Sequence, residues 1–493
     1  MLSQKHKQKC EFGDFQTPDA LAHQVVQTLK DLDIQPQSVI EPSCGQGAFI
    51  FAAANVFANS TQFIGVDINQ AHLDILRSKI IAQNVTVPIK TICTSFFDVD
   101  WLNILNNLPE PILILGNPPW VTSAELGRLN SDNLPVKSNF MKINGLDALT
   151  GKSNFDISEW MLLQHLQWLQ GRTGIVAMLC KTAVARKVLF YAWKHDKFIQ
   201  QSRIYQIDAL KYFKVTVDAC LFIIEIGSIK PKACYFFEQL SAQKPSDTIN
   251  YYDGRVIADL VNYKKWQHLR GADKNYIWRS GIKHDCSKVM ELIKIGSVYQ
   301  NGNGVIVSLE DNYIYPLLKS SDVANGRVSD CRKYVLITQQ YIGEETNKIK
   351  EQAPKTWRYL QENAAALAKR SSSVYKKRPE FSIFGVGNYT FYPWKVAISG
   401  FYKKLSFYAV PRIKNYPVIF DDTVYFIPCS SEEEAHFIAD LLNSSIAKMF
   451  FNSMIFWGNK RPITIDLLKQ LNIQALAREL NREDEYIYHI KKH

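Results

Sequence analysis

The stretch SVIEPSCGQGAFI (residues 38–50) decides the fold. A short apolar run ends in Glu41, and Gly45 and Gly47 follow closely. Two glycines there let the backbone turn tightly and let a ligand approach with no Cβ in the way. Glu41 stands at the strand tip, placed to accept a hydrogen bond from a cationic amine. A second apolar run, QFIGVD (62–67), ends in Asp67, roughly twenty residues on, where a carboxylate can receive both hydroxyls of a ribose.

Outward from this pair the pattern repeats. Apolar runs recur at 89–93 (IKTIC), 111–116 (PILILG), 173–179 (TGIVAML), 203–208 (RIYQID) and 219–226 (ACLFIIEI). Helical spacing of apolar residues predicts helices over 18–32, 69–84 and 156–170, with Asn69 and Asp156 as N-caps and Gly171 as a stop. Strands alternating with helices predict an α/β, doubly wound, mostly parallel sheet, whose ligands sit at the carboxyl ends of its strands. The glycine turn lacks the third glycine of dinucleotide enzymes, Ile50 standing in its place. A phosphate-free nucleoside with an amino-acid tail, S-adenosylmethionine, therefore fits better than NAD. The third strand end, TSFFD (94–98), offers Ser95, Phe96 and Asp98 to an adenine ring; Cys44 and Ile68 complete the candidate cofactor set.

The fourth strand end is GNPPW (116–120), where four apolar residues give way to a glycine, an asparagine, two prolines and a tryptophan. Together with GDFQTP (13–18), IEPSCGQGAFI (40–50), GVDIN (65–69), GIVAMLCK (174–181) and KYFKVTVDACLFII (211–224), in that order, it resembles the gamma-class DNA adenine-N6 methyltransferases of restriction–modification systems. The resemblance covers residues 11–226 by motif and implies a seven-stranded methyltransferase sheet. It also assigns roles. Asn117, through its side-chain oxygen, and Pro118, through its carbonyl, would accept the two N–H bonds of an adenine amine. Pro119 stiffens the turn, Trp120 stacks on a flipped base, and Phe213 takes the opposite base face, with neighbouring Tyr212 as the alternative. Phe15 and Thr17 match the segment that closes over the methionine end of the cofactor. Many family members carry an acidic residue where Ser95 stands, so either Ser95 or Asp98 meets the cofactor adenine.

Charge divides the chain. Residues 1–230 carry 21 Lys and Arg against 20 Asp and Glu, leaving 37 against 27 for residues 231–493. Lys and Arg neutralise phosphates, so the basic half is expected to meet a polyanion. The expected domains are a catalytic one, 1–230, and a mixed α+β target recognition domain, 231–493, facing double-stranded DNA. Within it, 381–404 places Trp394, Lys395, Tyr402, Lys403 and Lys404 either on a DNA-facing surface or in a sheet core. The aperiodic segment 121–155, with Lys137 and Asn139, is read as ordering over a flipped nucleotide or as a surface loop.

No stretch approaches the ~18 apolar residues of a membrane span, and no signal-peptide pattern opens the chain. A cytoplasmic protein is expected, with nine reduced cysteines and no metal site. A nuclease carboxylate cluster is not evident, so a cleaving partner would be a separate protein, and a monomer suits the asymmetric site. The alternatives are methylation of RNA or of a glutamine amide, or a non-catalytic DNA-binding specificity protein.

Overall fold

The computed structural model describes residues 16–121, 156–228, 232–459 and 461–492. Phe15, Lys137 and Asn139 lie outside them, as does nearly all of 121–155. By internal contacts the chain divides into two units, Met1–Ala258 and Asp259–His493.

In the first unit, β1 (Ser38–Glu41), β2 (Gln62–Asp67), β3 (Ile89–Cys93), β4 (Ile112–Gly116), β5 (Gly174–Lys181), β6 (Ile199–Ile207) and β7 (Ala219–Ile226) fall on the seven expected runs. They lie in the order β3-β2-β1-β4-β5-β7-β6. The first five are parallel, and β7 runs antiparallel between β5 and β6. Strands β1 and β4 are buried along their whole length, as covering helices on both faces require. Helices α1 (Asp19–Asp31), α2 (Ala48–Val56), α3 (Gln70–Ala82), α4 (Trp101–Asn106), α5 (Ile157–Trp168), α6 (Thr182–Lys194) and α7 (Ala209–Phe213) complete the unit. The Asn69 side chain caps α3 through the Ala71 amide, and Asp156 caps α5 through the Ser158 amide. Leu21, Val25 and Leu29 of α1 and Phe49 and Ala53 of α2 share one core with Val39, Leu113 and Ala177 of the sheet.

The sheet does not stop at seven strands. β8 (Ala233–Phe237) pairs in parallel with β6, and β9 (Asp247–Tyr252) and β10 (Arg255–Ile257) follow antiparallel, making ten. β8 satisfies the ladder of β6, which would otherwise be an open edge. The unit boundary therefore falls after Ala258 rather than at 230. Residues 231–258 hold three Lys or Arg and three Asp or Glu, so the second unit keeps the whole net charge of +10, with 34 basic against 24 acidic residues.

The second unit is mixed α+β. It holds a six-stranded sheet that includes β11 (Glu291–Ile295) and β12 (Lys333–Leu336) and a four-stranded sheet around β13 (Trp394–Ser399) and β14 (Val424–Cys429). Helical residues from Glu432 to Asn452 divide at Ser444, which leaves helical geometry and caps the second piece through the Ala447 amide. The helical residues Pro354–Ala368 likewise divide at Asn363. Among the described residues no helix is long and apolar enough to cross a membrane. The eight described cysteines are free; five are buried, while Cys93, Cys286 and Cys331 are not.

Candidate active site

The loop after β1 and the tip of β2 are one hydrogen-bonded structure. Gly45 and Gly47 both take positive φ, +49° and +79°. A Cβ on Gly47 would lie 2.4 Å from Leu76 Cδ1, so α2 can start there only from glycine. One Asp67 oxygen accepts from the Gly45 amide at 2.8 Å and the other from the Asn69 amide at 2.8 Å. The carboxylate thus holds two strand-end loops together. Gln16 Oε1 accepts from the Gln46 amide at 3.0 Å, bringing the segment before α1 across the same loop. Ile68 is 41% exposed at the β2 tip, an open apolar surface beside the Asp67 carboxylate.

Glu41 is only 3% exposed and accepts from the Ile50 amide at 3.1 Å. Burial holds its carboxyl well above the usual carboxylate range; the Ile50 amide opposes the rise and Asp67 adds to it. Cys44 lies beside it, buried, and its thiol is pushed up by burial and by Glu41 and Asp67. Glu41 also reaches the fourth strand end, since a Cβ on Gly116 would stand 3.4 Å from its Cγ.

The turn after β4 is pinned on several sides. Asn117 Nδ2 donates to Thr17 Oγ1 at 3.3 Å. Pro118 is buried, while Asn117, Pro119 and Trp120 are half-buried. The Trp120 indole N–H donates to the Leu179 carbonyl at 3.2 Å, and the Lys181 ammonium donates to the Trp120 carbonyl at 2.9 Å. Lys181 also pairs with Asp156 at 2.6 Å. Phe213 meets Trp120 edge-on, with ring centroids 5.3 Å apart and planes at 67°. A base sandwiched between two rings would hold them about 7 Å apart. Phe213, expected on the far base face, lies in direct contact with the tryptophan in this structure. Tyr212 turns to Gln24, its hydroxyl donating at 3.0 Å.

At the third strand end Phe96 is 9% exposed, and its ring packs among Trp101, Trp160, His165 and Trp168. Phe97 is half-buried and Asp98 exposed. Ser95 Oγ accepts from the Phe97 amide at 3.3 Å. Neither Lys181 nor the pairing role of Asp156 is among the residues that sequence reasoning finds. The available signal is a charged residue closing an otherwise apolar strand, GIVAMLCK.

The N-6 DNA methylase family model matches residues 1–214. The chain is 46% identical over 479 residues to the type II methyltransferase M.NspV of Nostoc sp., covering 97% of this chain and 99% of that protein. It belongs to the N-6 DNA methylase family, among the type II DNA methyltransferases of restriction–modification systems. In fold it is similar to the type IIL restriction–modification enzyme MmeI, solved in complex with DNA, with a TM-score of 0.57 at 12% identity. That match covers 92% of this chain, which spans 64% of MmeI.

Proposed function

We propose that the protein transfers a methyl group from S-adenosylmethionine to N6 of an adenine flipped out of double-stranded DNA at a specific sequence. It would be the modification component of its system. The observation that carries this is the turn at the tip of β4, where Asn117 and Trp120 are fixed by Thr17, Leu179 and Lys181 beside the Glu41 carboxyl.

The donor set suits the cofactor. A carboxylate has about four acceptor positions. Asp67 uses two on amides, leaving acceptors for a ribose diol. Ile68 gives an adenine an apolar face, with Phe97, Ser95 and Asp98 at the neighbouring tip and the Phe96 ring behind them. Glu41, whose carboxyl burial pushes upward, would ionise most readily beside a cationic amine, which suits it to hold one. When bound, the cofactor supplies a methyl group on a positively charged sulfur.

The protein's task is to make a poor nucleophile usable. The lone pair of an adenine amine is conjugated with the ring. Asn117 Oδ1 and the Pro118 carbonyl would each accept one N–H, drawing the nitrogen towards tetrahedral geometry and freeing that pair. Thr17, by taking the amide N–H of Asn117, sets which end of the side chain is the acceptor. Fixed acceptors stabilise charge developing on nitrogen without reorganising. Transfer would form the N–C bond as the cofactor's C–S bond breaks, and one N–H proton of the amine would pass to water. Flipping costs a few kcal/mol. Stacking on the Trp120 ring would return roughly 1–3 kcal/mol. The +10 charge of the second unit supports a polyanionic substrate.

Incubation with methyl-labelled cofactor and, separately, plasmid DNA, RNA and protein tests this. Label recovered as N6-methyladenine from the plasmid is expected. Label in RNA or protein alone, or none, would overturn it.

A further inference from the structure

The strand-end motifs leave one side-chain pair without a part in the reaction. Lys181 closes β5, and its ammonium donates to the Trp120 carbonyl at 2.9 Å and to Asp156 Oδ2 at 2.6 Å. Asp156 is buried, and its other oxygen accepts from both the amide and the hydroxyl of Ser158, starting α5. Beside this pair the Ile157 amide donates to the Val121 carbonyl at 3.0 Å. The chain therefore leaves the turn at Val121 and re-enters the fold next to it at Asp156. Lys181 sits where exit and return meet.

We propose that Lys181 and Asp156 are positioning residues for methyl transfer, a pair that locks the aromatic end of the Asn117–Trp120 turn onto β5 and α5. The role rests on the reading of Trp120 as the base-stacking residue. The indole is held by its ring nitrogen on Leu179 and by Phe213 at its edge. Neither contact fixes the peptide that joins it to Val121. Lys181 does, because a carbonyl held by a cation cannot rotate without breaking a charge-assisted hydrogen bond. Asp156 keeps the ammonium there by compensating its charge, and is itself tied down by the helix cap. The acceptor carbonyl of Pro118 is two residues from the clamped one, so loss of the clamp would blur both the stacking ring and the acceptor. A misplacement near 1 Å costs about 10²-fold in rate.

The test compares wild type, Lys181→Met, Lys181→Arg and Asp156→Asn in the full-length protein. Asparagine still caps α5 but removes the counter-charge. Single-turnover transfer from labelled S-adenosylmethionine to plasmid DNA is read beside the cofactor dissociation constant and the melting temperature. For Lys181→Met the expected result is a rate loss of about 10²-fold. Its cofactor affinity should stay within twofold of wild type, with partial recovery in Lys181→Arg and an intermediate loss in Asp156→Asn. An active wild type with an equally active Lys181→Met overturns the clamp alone. Losses of rate, cofactor affinity and melting temperature in proportion overturn it too, as a purely structural effect. A wild type that transfers no methyl to DNA overturns the reading of the turn, and the clamp with it.

Discussion

The two units use charge in opposite ways. In the first, a nearly balanced count serves single groups at strand tips: Asp67 bridging two loops, Glu41 buried with its carboxyl pushed upward, Lys181 gripping a carbonyl. In the second, a surplus of ten positive charges is partly consumed inside the fold. Buried Glu291 takes Lys319 and Lys333, both at 2.6 Å, and buried Asp322 takes Arg327 and Arg332. Lys395 is only 2% exposed on β13, donating to the Tyr392 carbonyl at 2.8 Å. Of the two settings open for 381–404, the sheet core is thus the one Lys395 occupies. Net charge measures what a unit can offer to phosphate poorly until the committed cations are subtracted. The exposed run Lys376, Lys377 and Arg378, with exposed Lys403 and Lys404, remains available.

Four variants sharpen this contrast. The largest effect belongs to the first unit: Asn117→Ala should lower the transfer rate by about 10²–10³-fold, as loss of one preorganised polar group does. Its melting temperature should stay near that of wild type. Labelled transfer to plasmid DNA checks it, and near-normal activity would remove the chemical role of the turn.

Lys395→Met comes next. Burial lowers this lysine from 10.5 to about 7. Between those limits the unfolded chain holds a proton that the folded one has released, so wild-type stability should rise with pH from about 7 towards 10. Below that window both states are charged and the burial cost is present in full. Lys395→Met should melt a few degrees higher than wild type at pH 7 and lose this upward slope. Thermal melts across pH 6 to 10 decide it, and an unchanged slope would place the titration elsewhere.

The smallest effect is at the surface. Replacing Lys376, Lys377 and Arg378 by glutamine should reduce the slope of log affinity against log salt by about 0.9 for each phosphate that is no longer neutralised. Lys319→Gln, which breaks a pair with Glu291, should change stability and leave that slope alone. Equal slope changes in both would erase the distinction between committed and available cations.

Legibility follows the same divide. Glu41, Gly45 and Asp67 lie at strand ends set by a short local pattern, which makes them legible from spacing, while Asn117 is marked by the resemblance. Helix α2, AFIFAAANV, escapes such a reading, because a helix apolar on nearly every side has no periodic stripe. Phe96 and Phe97 are indistinguishable in sequence, and only packing against Trp168 sends the first into the core. Motif order brings Phe213 to Trp120, but its edge-on angle is a property of the packed rings.

The places of the strands along the chain and the residue types at their tips were written in local residue patterns, because strand length, turn geometry and side-chain type act over a few neighbours. Three things were settled only by long-range packing. These are the ten-strand extent of the sheet, which depends on β8 finding β6, the grip of Lys181 on a carbonyl 61 residues away, and the burial of Lys395. A residue's type states which bonds it can make; only the closed fold brings the Trp120 carbonyl to 2.9 Å from Lys181.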